Sequence, residues 1–294
     1  MRLSKMFMTP DFEKIYKNID SNELTTRIRE FRKLNIRNMS TSELGEAVYK
    51  VLVVNNRFTF PTRTLNYQAC TIFFRVRKLD GSIIPNKNLS TLSDFWNPPS
   101  EVILNYGRLN KPNESLLYTS PDPNLCIQEM KIKTGEYFAL IKYESKEVIK
   151  ANPISSDIDF KAFNINDPKA QLNLNIINDF LKDEFSRDVG VGTEYLYKTS
   201  EFIAKNFFDL PPRAMQDAWL YSSIWDKTNY NICFRPEIAK ELLELKGAVI
   251  AKLDDNRNIN CYAISYVSKI NNNVQFETIE SDMKKELFPE ICPN

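Results

Sequence analysis

The chain has 294 residues, with 39 Lys and Arg against 38 Asp and Glu, so its formal net charge is +1. That balance speaks against a dedicated nucleic-acid binder, whose affinity comes mostly from excess positive charge, while 43% hydrophobic residues suffice for a true core. Histidine is absent and glycines number only 7, which removes Ser-His and Cys-His catalysis, histidine metal sites and the glycine-rich phosphate loops.

Met1 to Pro10 carries no apolar signal-peptide core, and no apolar run approaches a membrane span, so a cytoplasmic protein is expected. The five cysteines, Cys70, Cys126, Cys233, Cys261 and Cys292, contain no Cys-x-x-Cys pair and are read as buried, reduced thiols. Helices follow. Ser21 precedes Leu24, Ile28, Phe31 and Leu34 at helical spacing, and Ser40 with Glu43 forms a capping-box pattern before Leu44, Ala47, Val48, Val51 and Leu52. Thr71 to Arg77 is β-branched and aromatic, a strand, followed by an Asp80-Gly81 turn.

Trp96-Asn97-Pro98-Pro99 reads as a loop that shapes a pocket wall, and Ser115 to Thr119 as a second strand. Pro123 to Met130 suits a short helix with proline in its first turn, and Glu136 to Tyr143 a third strand. Residues from about Lys146 to Asp167 are polar and proline-punctuated and predict an inserted loop. Helices are expected around Leu172 to Leu181 and after Thr193, and strands at Ala218–Ile224, Asn231–Phe234, Ala248–Leu253 and Cys261–Val267. The class is α+β, a mixed sheet flanked by helices. Residues 1–65 form a helical N-terminal extension, and residues 66–294 a main domain with a polar and helical insertion around 146–192.

Three segments carry the chemistry: Phe73-Phe74-Arg75; Tyr106-Gly107-Arg108-Leu109-Asn110 with Leu117-Tyr118-Thr119-Ser120 and Leu125-Cys126-Ile127-Gln128-Glu129; and Trp219-Leu220-Tyr221-Ser222-Ser223 with Asn231. Their order and wording, over roughly residues 70 to 250, resemble the RES domain, a family named for its Arg, Glu and Ser. The family's last block usually reads Tyr-Pro-Ser; Tyr221-Ser222-Ser223 departs from it, and position favours Ser223 over Ser222. The resemblance implies an ADP-ribosyltransferase-like fold and an enzyme that degrades NAD⁺, as glycohydrolase or phosphorylase. It implies a toxin or defence effector silenced by a cognate antitoxin over the active site. NAD⁺ is then the substrate, with no cofactor or metal. A mono-ADP-ribosyltransferase and a non-catalytic protein on the same scaffold are the alternatives.

The residues suit that chemistry on their own terms. Cleaving the N-glycosidic bond of NAD⁺ generates an oxocarbenium-like ribose, and nicotinamide leaves neutral without an acid. One carboxylate, Glu129, at about 4 Å contributes about 4 kcal/mol at an effective dielectric near 20. Arg75, at a strand end, or Arg108 would hold the pyrophosphate, and sequence does not rank them. Tyr118 would pack on nicotinamide or ribose or fill the core, and Tyr106 would line the pocket or the core. Ser223 would bond the ribose or orient Glu129, and Asn231 reads as structural. The N-terminal helices suit a restraint in cis or a homo-oligomer interface equally.

Overall fold

The structure is a computed structural model. It describes residues 10–54, 56–79, 81, 89, 91–223, 230–267, 274–278 and 282–291. Asp80 of the expected turn, Ile224, Cys292 and residues 1–9 lie outside them.

Helices α1 (Phe12–Lys17), α2 (Ser21–Arg32) and α3 (Thr41–Leu52) open the chain. Asp20 caps α2, accepting from the N–H groups of Asn22 and Glu23. Ser40 and Glu43 close the capping box on α3, each side chain bonding the other's backbone N–H. Strands β1 (Leu65–Tyr67), β2 (Ile72–Lys78) and β3 (Leu117–Thr119) precede α4 (Pro123–Glu129). Next come β4 (Tyr137–Ser145), β5 (Ile149–Ile154), α5 (Pro168–Ser186) and α6 (Tyr197–Phe207). The chain continues with β6 (Ala218–Ser222), β7 (Tyr230–Phe234), α7 (Pro236–Leu242), β8 (Leu243–Leu253), β9 (Ile259–Val267), β10 (Val274–Thr278) and α8 (Asp282–Leu287).

The α+β class holds, but among the described residues the strands form two five-stranded sheets where one was expected. The first runs β1-β5-β6-β7-β3, antiparallel except for the parallel β5–β6 pair, and the second runs β10-β9-β8-β4-β2, antiparallel throughout. Side-chain alternation dictates the layers. Leu220 and Ile232 of the first sheet meet Phe73, Ile141 and Tyr143 of the second in one core. Trp219, Tyr221 and Cys233, one position out of phase, point the other way into a core shared with α2, α3 and α5. On the far face of the second sheet, Phe74, Phe138 and Leu140 pack with Cys126 and Ile127 of α4 and with Phe288.

Two further expectations need correction. The segment read as an inserted loop contains β5, interior to the first sheet. Its polar residues hid it: Lys150 Nζ donates to the carbonyls of Arg213 and Ala214, and Asn152 bonds Thr64 and Gln216. Pro153 lies beyond the last β1 pair, and its carbonyl accepts from Thr62 on that side, so its missing N–H leaves no ladder bond empty. Among the thiols, Cys126, Cys233 and Cys261 are buried as expected, whereas Cys70 is exposed. Among the described residues, no helix is long and apolar enough to cross a membrane.

Candidate active site

The two sheets touch along their edges. Phe74 of β2 and Ser120, just past β3, exchange backbone hydrogen bonds of 2.7 and 2.9 Å. A cavity of about 690 Å³ opens at this seam, within the range typical of small-molecule sites. Arg75, Tyr106, Arg108, Tyr118 and Glu129 all line it, so five of the six residues singled out in the sequence converge there. The sixth, Ser223, reaches it through Glu129.

Helix α4 starts at the seam. Ser120 Oγ accepts from the Asp122 N–H, Asp122 caps the helix on the Asn124 N–H, and Pro123 fills the first turn. Cys126 then ties the helix to β2 by donating to the Phe74 carbonyl at 3.2 Å. Glu129 is the last residue of this helix, where the exposed carbonyl ends disfavour a negative charge. Two donors offset that. Ser223 Oγ donates to Glu129 Oε1 at 2.7 Å, and Asn231 Nδ2 donates to the same oxygen at 2.9 Å.

Strand parity explains why these two residues meet the carboxylate. Tyr221 pairs with Asn231 across the β6–β7 ladder, and Ser223 lies two residues beyond Tyr221, so all three share a face. Ser222 belongs to the opposite face; the serine that contacts Glu129 is Ser223. Asn231, read from sequence as structural, is a functional candidate that was missed. Its signal was the hairpin register that sets it opposite Tyr221, which the string Tyr-Ser-Ser…Tyr-Asn does not display.

Tyr118 supports the opposite wall. Its hydroxyl donates to Asn110 Oδ1 at 2.8 Å and accepts from the Leu109 N–H at 3.0 Å, which pins the Gly107–Asn110 turn. A Cβ at Gly107 would stand 2.2 Å from Asn110 Oδ1, so a larger residue there would displace the amide that Tyr118 holds. Burial holds the Tyr118 hydroxyl well above the usual tyrosine range, so it stays protonated as a donor. Tyr106 lies farther out, beneath Lys198, whose ammonium is 5.8 Å from the ring centroid. Pro98 joins the wall, while Trp96 turns inward onto Tyr143.

The arginines differ. Arg108 is buried between the rings of Tyr197 and Tyr221, at 5.1 and 5.5 Å, and donates to the carbonyls of Phe185 and Arg187. It ties α5 to the cavity wall. Arg75 sits in mid-strand, opposite Ile141, not at a strand end. Burial lowers its pKa, Tyr143 opposes that shift, and the neighbouring Arg77 adds to it. Among the described residues no carboxylate pairs with Arg75, and its Nη1 is buried without a hydrogen-bond partner. Nor is any group of three or more Cys, Asp or Glu residues placed there to hold a metal ion.

No model of a known protein family matches the chain, and no curated protein is significantly similar to it. At the cavity mouth, Val102, Leu104 and Met130 expose apolar surface.

Proposed function

We propose that the chain is an NAD⁺-degrading enzyme that breaks the nicotinamide–ribose bond, with Glu129 as the catalytic carboxylate. The observation that carries this reading is the oriented carboxylate: Ser223 and Asn231 both hold Oε1 of Glu129 inside a cavity that also takes Arg75, a cation with no carboxylate partner among the described residues. With Oε1 fixed, Oε2 is the oxygen left to face the substrate. The RES resemblance of the same blocks agrees with it.

In this mechanism the C1′–N bond breaks heterolytically, its electron pair passes to the nicotinamide nitrogen, and neutral nicotinamide departs. Glu129 stabilises the positive charge developing on the ribose ring. Water or phosphate then attacks C1′; with water, the products are ADP-ribose, nicotinamide and one proton. Preorganisation is what the two donors supply, because a carboxylate already held in place needs no rearrangement as charge develops. As a toxin or defence effector, the protein would be restrained by a partner over its cavity, and the apolar mouth offers that partner a surface.

The test is chromatography of nicotinamide released from NAD⁺ by the purified protein and by Glu129→Gln. The substitution keeps the shape and is expected to lower turnover roughly 10²–10³-fold while circular dichroism stays unchanged. Near-normal turnover in Glu129→Gln would remove Glu129 from the mechanism.

A further inference from the structure

Strand β2 offers the cavity two arginines, and the sequence reading used only one. Arg75 and Arg77 both line it, and their separation of two residues puts both side chains on one face of the strand, about 7 Å apart at the backbone. The two charges are near enough that Arg77 helps to lower the Arg75 pKa. Arg77 is already aimed: its Nη1 donates to the Asp94 carbonyl at 3.2 Å and lies 3.5 Å from the Asp94 carboxylate. Asp94 is itself fixed by the Thr91 N–H and hydroxyl, at 2.8 and 2.7 Å. This anchoring leaves Nε and Nη2 of Arg77 without a protein partner among the described residues.

The electrostatics of the pair are incomplete. Two guanidinium groups share a face, the inner one has no carboxylate, and one of its nitrogens is orphaned. Like charges held together in a partly dry cavity are destabilising unless an anion joins them. Arg108 does not fill the second place: its Nη1 goes to the carbonyls of Phe185 and Arg187, its Nη2 to the Tyr197 hydroxyl, and its guanidinium is held between the Tyr197 and Tyr221 rings. We infer that Arg75 and Arg77 form a two-pronged clamp for a diphosphate group, with Arg77 as the outer prong that sets the preference for dinucleotides over monophosphates. The inference rests on the NAD⁺ reading above and deepens it, because NAD⁺ carries its diphosphate between its two ribosides.

Calorimetric titration with ADP, AMP and adenosine tests the clamp without turnover. The wild type is expected to bind ADP more tightly than AMP. Arg77→Gln should weaken ADP binding about tenfold or more and leave AMP nearly unchanged, whereas Arg77→Lys, which keeps charge but not the fork, should fall between. Equal ADP affinity in wild type and Arg77→Gln would overturn the clamp, as would a wild type that does not bind ADP. Nicotinamide release separates the two ideas. A clamp that behaves as expected in a protein inert toward NAD⁺ would overturn the NAD⁺ reading alone. Turnover with an unchanged KM for NAD⁺ in Arg77→Gln would overturn the clamp alone.

Discussion

Ser223 and Glu129 stand 94 residues apart in the chain and 2.7 Å apart in the fold, joined by a hydrogen bond from the end of the first sheet to helix α4. Asn231 makes the same bond from the neighbouring strand. Each is a hydrogen bond to a charged group, the kind that contributes about 1.5–3 kcal/mol. Ser223→Ala and Asn231→Ala should therefore each reduce kcat for nicotinamide release roughly 10–100-fold, with KM for NAD⁺ little changed. Because both act on one oxygen, the double variant should lose less than the product of the single losses. Fully multiplicative losses, or losses confined to KM, would show that the two donors do not act together on Glu129.

The Tyr118 hydroxyl is a test of the opposite wall. Tyr118→Phe leaves the Leu109 N–H without its acceptor and Asn110 without its donor. A buried group stranded in this way costs about 1–3 kcal/mol, so the urea midpoint should fall with an unchanged m-value. A midpoint equal to that of the wild type would mean that the turn is held by other contacts.

A pH dependence of stability follows from Glu184, on α5 beside the carbonyl that Arg108 holds. It is 2% exposed, and its Oε2 lacks a hydrogen-bond partner. Burial pushes its carboxyl up from 4.5 to about 7, with Arg187 and Arg32 pulling the other way. For a carboxyl raised on folding, the stabilisation is fully present below the unfolded value and is lost as pH rises through the folded one. Thermal unfolding should therefore show Tm falling between about pH 5 and pH 8, and Glu184→Gln should flatten that fall. An identical slope in the variant would assign the dependence to other groups.

The N-terminal helices are open to a stability test as well. Phe31 of α2 meets Phe180 of α5 edge-on, with ring centroids 5.3 Å apart, in the same core as Trp219 and Tyr221. Phe31→Ala should cost about 3–5 kcal/mol, measured by denaturant unfolding as one transition. A separate early transition that leaves the main one in place would make α1 to α3 an appendage with its own stability.

How much of this was legible depended on range. The Ser40–Glu43 box, the strand around Phe73 and the proline-led α4 are local patterns, and the structure contains each. Gathering Arg75, Tyr118 and Glu129 came from the order of their blocks, not from periodicity. β5 escaped because Lys150, Asn152 and Pro153 break the apolar run, and each is explained only by a distant partner or by where β1 stops. α7 and β10 gave no sufficient signal. The role of Asn231 depends on a register set across a hairpin, and that of Arg77 on an aspartate 17 residues away. The sequence names such residues without saying what they face.

The pair of backbone bonds between Phe74 and Ser120 has a consequence for how this protein fails. Arg75 is carried by one sheet, Ser223 and Asn231 by the other, and Glu129 by the helix that starts where the edges meet. Neither half holds a usable fragment of the site, so any slippage along that line dismantles it at once. Heat, denaturant or a competing strand edge would thus take the cavity apart before most of the secondary structure has changed, and the proposed activity would be the earliest reporter of a loosening fold.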